Sequence, residues 1–236
     1  WIIKKSIRCL GYIITFIQIY KMKQNKDIWN IEHLFYQKTQ VSRVAKVIYH
    51  YEIYKKIKSL KGNFVECGVF KGVSLIRFAS FVKIFEKRKR KLIAFDAFGK
   101  FPSTNRKEDF NFASRHNKNV GTGIQMNKLK KILKAKRISN FKLIKGDVIK
   151  TVPNFIKKNK NLKIALLHLD VDVYVPTKIL LEKLFPFVEK NGIILIDDYK
   201  YVSGATRAVN EFLKKNKKLK IQKLDFPSRP SFIIKK

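Results

Sequence analysis

The chain has 236 residues, of which 45% are hydrophobic and 30% charged, so it can bury the core of one α/β domain with appended segments. Its formal net charge of +36 is extreme. The two cysteines, Cys9 and Cys67, do not suggest a disulfide framework or a metal cluster. They fit a reducing compartment, and we expect a cytoplasmic protein.

The charge allows two interpretations. One is a polyanionic partner such as nucleic acid, anionic lipid or a phosphorylated substrate. The other is a lysine-rich composition, because lysine is spread over the whole chain and its runs fall at predicted helix ends or on solvated helix faces. We favour the second interpretation and expect no specific nucleic-acid partner. The runs are Lys87–Lys91, Lys128–Arg137, Lys157–Lys163 and Lys214–Lys220.

The N-terminal segment Trp1–Lys23 is apolar but is interrupted by basic residues. Its longest uncharged stretch, Cys9–Tyr20, is too short for a membrane span, which needs about 20 residues. We favour a helix that lies on the domain or at the interface of a homo-oligomer. The alternative is an interfacial helix that gives residues 1–23 a peripheral membrane contact and makes the protein membrane-associated.

Residues 1–60 are predicted to be a helical N-terminal extension or lid, and residues 61–236 the main domain. Val41–Leu60 carries apolar residues near helical spacing, and Gly62 ends that pattern. The long polar segment Ala97–Gly123 is predicted to be irregular, as lids and binding loops often are.

From Gly62 onward predicted strands and helices alternate, which indicates an α/β fold with a mostly parallel seven-stranded sheet and helices on both faces. The strands are Asn63–Cys67, Lys91–Asp96, Phe141–Lys145, Lys163–Leu169 and Ile193–Ile196, then an antiparallel hairpin of Leu219–Leu224 and Ser231–Ile234. The helices are Ser74–Glu86, Ile124–Lys136, Val152–Lys160, Pro176–Glu189 and Gly204–Asn216.

A glycine turn joins the first strand to its helix, over Glu66–Ser74. Gly68 and Gly72 let the backbone bend tightly and let a ligand approach, and the helix N-terminus offers free N–H groups to an anion. The spacing is Gly-x-x-x-Gly, and no Gly-Lys-Ser/Thr follows. This argues against a dinucleotide fingerprint and against a phosphate loop.

Acidic residues end four successive strands. In an open parallel sheet the carboxyl ends of the strands are where ligands bind, and an acidic residue after the second strand commonly binds ribose hydroxyls. Any one of these residues could cap a helix, but together they predict a ligand cleft. They are Glu66, Asp96, Asp147 and Asp170.

Two acidic pairs follow two strongly apolar strands. They are Asp170 with Asp172, and Asp197 with Asp198. Burying an unpaired charge is very costly, so carboxylates here need a reason. Hard oxygen ligands suit Mg²⁺ or Ca²⁺. The alternative is that these side chains cap the next helix or pair with lysines.

Six motifs in this order resemble the macrocin O-methyltransferase family, over about residues 39–216. The resemblance implies a Rossmann-like class I methyltransferase fold, with S-adenosylmethionine as cofactor and a sugar hydroxyl as acceptor. The acceptor would be a sugar, a glycosylated small molecule or a nucleotide sugar. The motifs are Phe64–Gly72, Phe95–Phe98, Lys145–Asp147, Leu169–Tyr174, Ile196–Tyr199 and Gly204–Phe212.

The resemblance also implies residue roles. The cofactor's methionine end would be shaped by Glu66, Gly68, Gly72 and Ser74. Asp96 would hold the ribose, and Asp147 would lie near the adenine. The ligands of Mg²⁺ or another divalent cation would be Asp170, Asp197 and Asp198.

Transfer to a sugar hydroxyl needs a proton acceptor, because a hydroxyl is a weak nucleophile. A divalent cation would stabilise the developing alkoxide. Asp170 adjoins both the expected cation and the cofactor, and is our candidate base. His168 is the rival, since histidine is the usual proton shuttle, although a hydrogen-bonded core histidine is the more ordinary interpretation.

Two other functions compete with this one. An RNA methyltransferase would use the charge, but the sequence has no Asn-Pro-Pro-Tyr type motif and no pair of catalytic cysteines. A non-enzymatic membrane-associated protein would have no need of four strand-end carboxylates.

Overall fold

The computed structural model of the protein describes residues 27–87, 90–102 and 107–236. The chain divides into two compact units, and the boundary falls after Val44. The sequence placed it after Leu60, because residues 1–60 are all helical in pattern. The predicted membrane or interface segment, residues 1–23, lies outside the described residues.

Residues 27–38 are helical (α1) and belong to the first unit. Helix α2 follows over Val41–Ile57, and from Ala45 onward the chain belongs to the second unit. Among the helices of the described ranges, none combines the length and the hydropathy that a membrane crossing requires.

The second unit is built on a seven-stranded sheet with the order β3-β2-β1-β4-β5-β7-β6. Strands β1 to β5 are parallel, and β7 is antiparallel to both β5 and β6. This confirms the predicted fold class and the closing hairpin. The strands are β1 Asn63–Cys67, β2 Leu92–Asp96, β3 Phe141–Lys145, β4 Ile164–Leu169, β5 Val188–Ile196, β6 Ile221–Gln222 and β7 Ser231–Ile234.

Helices cover both faces of the sheet. Buried residues of α2, α3 and α5 form one core with Phe64, Leu166 and Leu195, and buried residues of α6, α7 and α8 form the other with Val65 and Leu167. Strand β4 is buried along its whole length, as expected for a central parallel strand. The helices are α3 Val73–Phe85, α4 Lys107–Asn119, α5 Met126–Ala135, α6 Val148–Lys158, α7 Tyr174–Leu184 and α8 Ser203–Lys215.

The prediction of an irregular Ala97–Gly123 was wrong in its second half, because α4 lies there. Among the side chains described in this helix only Asp109 and Ala113 are buried. A helix that buries one carboxylate and one methyl group leaves no apolar stripe in the sequence, so the 3.6-residue period was invisible.

Two helix boundaries also differ from the prediction. Helix α6 begins at Val148, four residues before the predicted start, because the side chain of Asp147 accepts a hydrogen bond from the Ile149 amide and caps it. The predicted helix Pro176–Glu189 ends early, since α7 stops at Leu184 and a short 3-10 turn leads into β5.

Candidate active site

A cavity of about 450 Å³ opens at the carboxyl ends of strands β1 to β4. Four of the predicted site residues line it, namely Gly68, Asp96, Asp147 and Asp170. Glu66, Gly72 and Ser74 are not among the lining residues. A cleft is therefore present where the strand-end acids predicted one. From the glycine turn, Gly68 and Phe70 line it.

Gly68 is required by a close approach within the chain itself. Its φ is +87°, and a Cβ atom there would lie 1.8 Å from the carbonyl oxygen of Asp170. Gly72, with a φ of +83°, instead makes room for α5, since a Cβ there would lie 2.9 Å from Cδ1 of Leu129. Gly68 thus allows the end of β1 to approach the residue that follows β4. Gly72 allows the start of α3 to pack against α5.

The carboxylate of Asp96 organises the glycine turn. Its Oδ2 accepts hydrogen bonds from the amides of Val69 at 2.6 Å and Phe70 at 3.1 Å, and its Oδ1 accepts one from Phe98. A carboxylate has about four acceptor positions, so three backbone donors leave little capacity for a ligand. Asp96 still borders the cavity, and its role toward ribose stays a prediction.

An aromatic wall closes the cavity on the side of α4, and sequence reasoning missed it. The ring of His116 lies 5.2 Å from Phe101 and 5.3 Å from Phe70, measured between ring centroids. Asn117 ties the loop to the helix, because it accepts from the amide of Phe101 and donates to its carbonyl oxygen. Because no periodic pattern marks α4, nothing in the sequence predicts that these rings lie together.

An acidic cluster borders the same cavity. Carboxylate oxygens of Asp170, Asp172 and Asp198 lie within 4.8 Å of one another, and Asp170 and Asp172 also line the cavity. Two of the three predicted metal ligands, Asp170 and Asp198, are thus brought together, and Asp172 takes the third place. The backbone of Asp172 is left-handed, with φ of +60°, which Asp tolerates better than most residues and which turns the chain after β4.

Crowding makes these carboxyl groups hard to ionise. Burial, together with the neighbouring carboxylates, raises the pKa of Asp172 to about 7 and that of Asp198 to about 8, and it raises the pKa of Asp170 well above its ordinary value. A divalent cation would relieve this repulsion, and three convergent oxygen donors are the set that Mg²⁺ accepts. The residues present therefore fit such an ion.

Asp197 has different partners. The Nζ atom of Lys46 donates to its Oδ2 at 2.7 Å, and its Oδ1 lies 3.8 Å from Nε2 of His168. Against the effect of burial, His168 and Lys46 hold the pKa of Asp197 below its usual range. Lys46 precedes Asp197 by 151 residues, so no sequence pattern linked them. Arg229 makes the corresponding contact to Oδ1 of Asp198 at 2.9 Å.

His168 lies behind the site and is fully buried. Its Nδ1 donates to Oε1 of Glu66 at 2.8 Å, across the β1–β4 ladder in which the two residues are direct partners. Burial lowers the pKa of His168, but the nearby carboxylate of Asp197 and the hydrogen bond to Glu66 outweigh it and raise the pKa to about 10. Of the two candidate bases, Asp170 lines the cavity and His168 does not.

A second group of ligand-type atoms, on His50, His168 and Asp197, also lies within 4.8 Å. It does not fit a metal ion. Arg77 Nη1 lies 3.1 Å from Nδ1 of His50, and because Arg only donates, Nδ1 must accept and Nε2 must carry the proton. Glu66 and Asp197 raise the pKa of His168, which favours its protonated form. Nε2 then carries a proton in both rings and offers no lone pair to a metal ion.

The strand order and the cavity at the carboxyl ends of the parallel strands define an α/β enzyme of the Rossmann-like methyltransferase class. Residues 35–227 match the family model described as Macrocin-O-methyltransferase (TylF). This match covers more than half of the 236 residues, and the chain belongs to that family. It is an S-adenosylmethionine-dependent O-methyltransferase, as the resemblance predicted.

Solved structures share the fold. The calicheamicin methyltransferase CalS11 superposes with a TM-score of 0.73 at 23% identity, covering 86% of this chain and 83% of that one. The apo form of CalS11, described as a TDP-rhamnose 3'-O-methyltransferase, gives 0.68 at 23% identity over 86% and 84%. The O-methyltransferase NovP gives 0.68 at 20% identity over 79% and 78%. No curated protein sequence shows significant similarity to the chain.

Proposed function

We propose that the protein transfers the methyl group of S-adenosylmethionine to a hydroxyl of a sugar, and that a divalent cation assists. One observation carries the proposal: a single cavity is lined by two groups of residues. Gly68 and Asp96 form one group, and Asp170 and Asp172 of the acidic cluster form the other. Cofactor space and acceptor space therefore meet at Asp170. The family match supports O-methylation of a sugar.

The chain's own residues would hold the cofactor by shape and by backbone groups. The cavity volume of about 450 Å³ is within the range of small-molecule sites. We assign Gly68 to the methionine end, Asp96 to the ribose and Asp147 to the neighbourhood of the adenine. Glu66, Gly72 and Ser74 would support this pocket from outside it, through the β1–β4 ladder and the seating of α3.

The cation would be held by Asp170 and Asp198, with Asp197 or Asp172 as the third carboxylate. When bound, it would stabilise negative charge on the acceptor oxygen. Asp170 would accept the hydroxyl proton, because it is the one of the two candidate bases that lines the cavity. His168 would orient Asp197 and would not exchange protons with the acceptor.

The acceptor class has one alternative that a specific observation favours. The net charge of +36 would suit RNA. A nucleotide-linked sugar also carries negative charge, and one similar structure is described as acting on TDP-rhamnose, so a nucleotide sugar is our first choice. A cytoplasmic location, a homo-oligomer and a membrane contact through residues 1–23 stay predictions of the sequence.

A crystal soaked with S-adenosylhomocysteine and Mg²⁺ tests this assignment. We expect the nucleoside to lie in the cavity between Asp96 and Asp147, and the ion to lie against Asp170 and Asp198. Nucleoside density at another place, or an ion that contacts none of the strand-end aspartates, would contradict the proposal.

A further inference from the structure

Helix α2 places Lys46 directly against the carboxylate of Asp197. The Nζ–Oδ2 distance is 2.7 Å, and the side chains are 22% and 5% exposed, so this ion pair is largely shielded from water. His50 lies one turn further along α2, is fully buried, and has a ring nitrogen within 4.8 Å of a carboxylate oxygen of Asp197. Two residues one turn apart on α2 therefore lie near Asp197, the first aspartate of the pair that follows β5.

Four carboxylates follow strands β4 and β5, and two of them have a cationic partner. The four belong to Asp170, Asp172, Asp197 and Asp198. Lys46 pairs with Asp197 and Arg229 pairs with Asp198, while Asp170 and Asp172 have none among the described residues. Lys46 is a compact charge on a flexible stem, so it can leave Asp197 without moving α2. Arg229 is already 45% exposed and needs no displacement to admit an ion, because it occupies only one oxygen of Asp198.

The two oxygens of Asp197 are not equivalent. Oδ1 is buried without a hydrogen-bond partner in the described part of the chain and lies 3.8 Å from Nε2 of His168. The N–H group of His168 disfavours a cation on that side. Oδ2 is the oxygen that Lys46 covers, and it is the one through which Asp197 can become a ligand.

We propose that Lys46 is an exchangeable counter-ion of Asp197, which holds that carboxylate in the cation-free enzyme and competes with the divalent cation for it. The proposal rests on the cation site proposed above. An uncompensated buried carboxylate is strongly destabilising, so the lysine keeps Asp197 charged and oriented until the ion arrives. An ammonium and a divalent cation on one oxygen repel each other, so binding of the ion requires Lys46 to withdraw.

Mn²⁺ binding followed by electron paramagnetic resonance tests this without any turnover. We expect Lys46→Met to bind Mn²⁺ at least about fivefold more tightly than the wild type, and to melt at a lower temperature when the cation is absent. Lys56→Met is the matched control, because Lys56 is an exposed lysine on the same helix. It should change neither quantity.

A double-mutant cycle separates this competition from a general effect of removing a positive charge. The gain in Lys46→Met should disappear when Asp197→Asn is also present, because the oxygen that the lysine releases is then no longer a carboxylate. If the gain persists in the double variant, or if Lys46→Met and the wild type bind Mn²⁺ equally, the role of Lys46 is overturned and the cation site stands.

A different result would contradict the cation site itself. If neither the wild type nor Lys46→Met binds Mn²⁺, the proposed site falls, and the exchange falls with it. If Lys46→Met does not fold, Lys46→Arg carries the test. Its planar fork should hold the carboxylate more firmly and weaken Mn²⁺ binding, and equal affinity would again overturn the competition.

Discussion

Glu66 and His168 face each other across the β1–β4 ladder, with Oε1 2.8 Å from Nδ1 and neither side chain exposed. The pair lies directly behind Asp197, whose Oδ1 is 3.8 Å from the other nitrogen of His168. A buried ion pair in this position fixes the orientation of the residues that end β4 and β5. The ion pair also gives Glu66, the first residue of the glycine turn, a structural role although it does not line the cavity.

We expect Glu66→Gln to lower the free energy of unfolding by about 3–5 kcal/mol, because it leaves the buried His168 without its charged partner. Urea denaturation measures this. The control is Glu52→Gln, which breaks the Lys55–Glu52 pair, in which both side chains are at least 34% exposed, and which should cost under about 1 kcal/mol. Equal effects of the two substitutions would contradict the assigned role of Glu66.

Cation binding should release protons. In the cation-free fold the pKa of Asp172 is raised to about 7 and that of Asp198 to about 8, so both groups bind protons near neutrality that a cation must displace. Affinity for Mg²⁺ should therefore rise as the pH rises from 6 to 8.5. Calorimetry in buffers of different ionisation enthalpy should find more than one proton released per ion at pH 7.

The same shifts fix the sign of the stability effect. Between the ordinary value of 3.8 and the raised values, the folded state binds more protons than the unfolded chain, so the free energy of unfolding falls as the pH rises through that window. Asp198→Asn should flatten this dependence. A cation affinity that is independent of pH, with no proton release, would show that these carboxyl groups are not ligands.

Gly68→Ala should abolish cofactor binding, since the new Cβ would meet the carbonyl oxygen of Asp170 at 1.8 Å and the end of β4 would have to move. Gly121→Ala is the matched control, because its φ of +81° is similar but its Cβ would meet nothing within 4 Å. That variant should lose only the roughly 1–2 kcal/mol of left-handed strain and keep cofactor affinity. Calorimetry with S-adenosylhomocysteine distinguishes the two, and unchanged affinity in Gly68→Ala would refute the close approach.

The fold was largely readable because β4 and the second half of β5 are apolar runs, and because each of the parallel strands β1 to β5 ends in or is followed by glycine or aspartate. The acidic residues after β4 and β5 could be placed at one edge of the sheet, since parallel strands bring their carboxyl ends together. Lys46 could not be found, because it is one of many lysines and its partner is 151 residues away. The hydrogen bonds by which Asp96 organises the glycine turn could not be found either, because the three backbone amides that donate them carry no sequence signal.

Asp96→Asn should weaken binding of S-adenosylhomocysteine by about tenfold or more. The amide group has one acceptor oxygen in place of two, and its NH₂ would face backbone donors, so the turn that lines the cavity would lose hydrogen bonds worth about 1.5–3 kcal/mol each. Glu189→Gln is the control, because Glu189 pairs with Lys163 near the start of β5 and does not line the cavity. Unchanged affinity in a folded Asp96→Asn variant would remove this carboxylate from the pocket's support.

The most direct test of the account is methyl transfer from S-adenosylmethionine labelled in its methyl group, offered to nucleotide-linked sugars and to total RNA, with Mg²⁺ or with excess EDTA. We predict that the label appears on a sugar hydroxyl with Mg²⁺, is lost in EDTA, and is lost in Asp170→Asn. Label that accumulates on RNA at physiological salt, or sugar methylation that is undiminished in EDTA, would contradict the account.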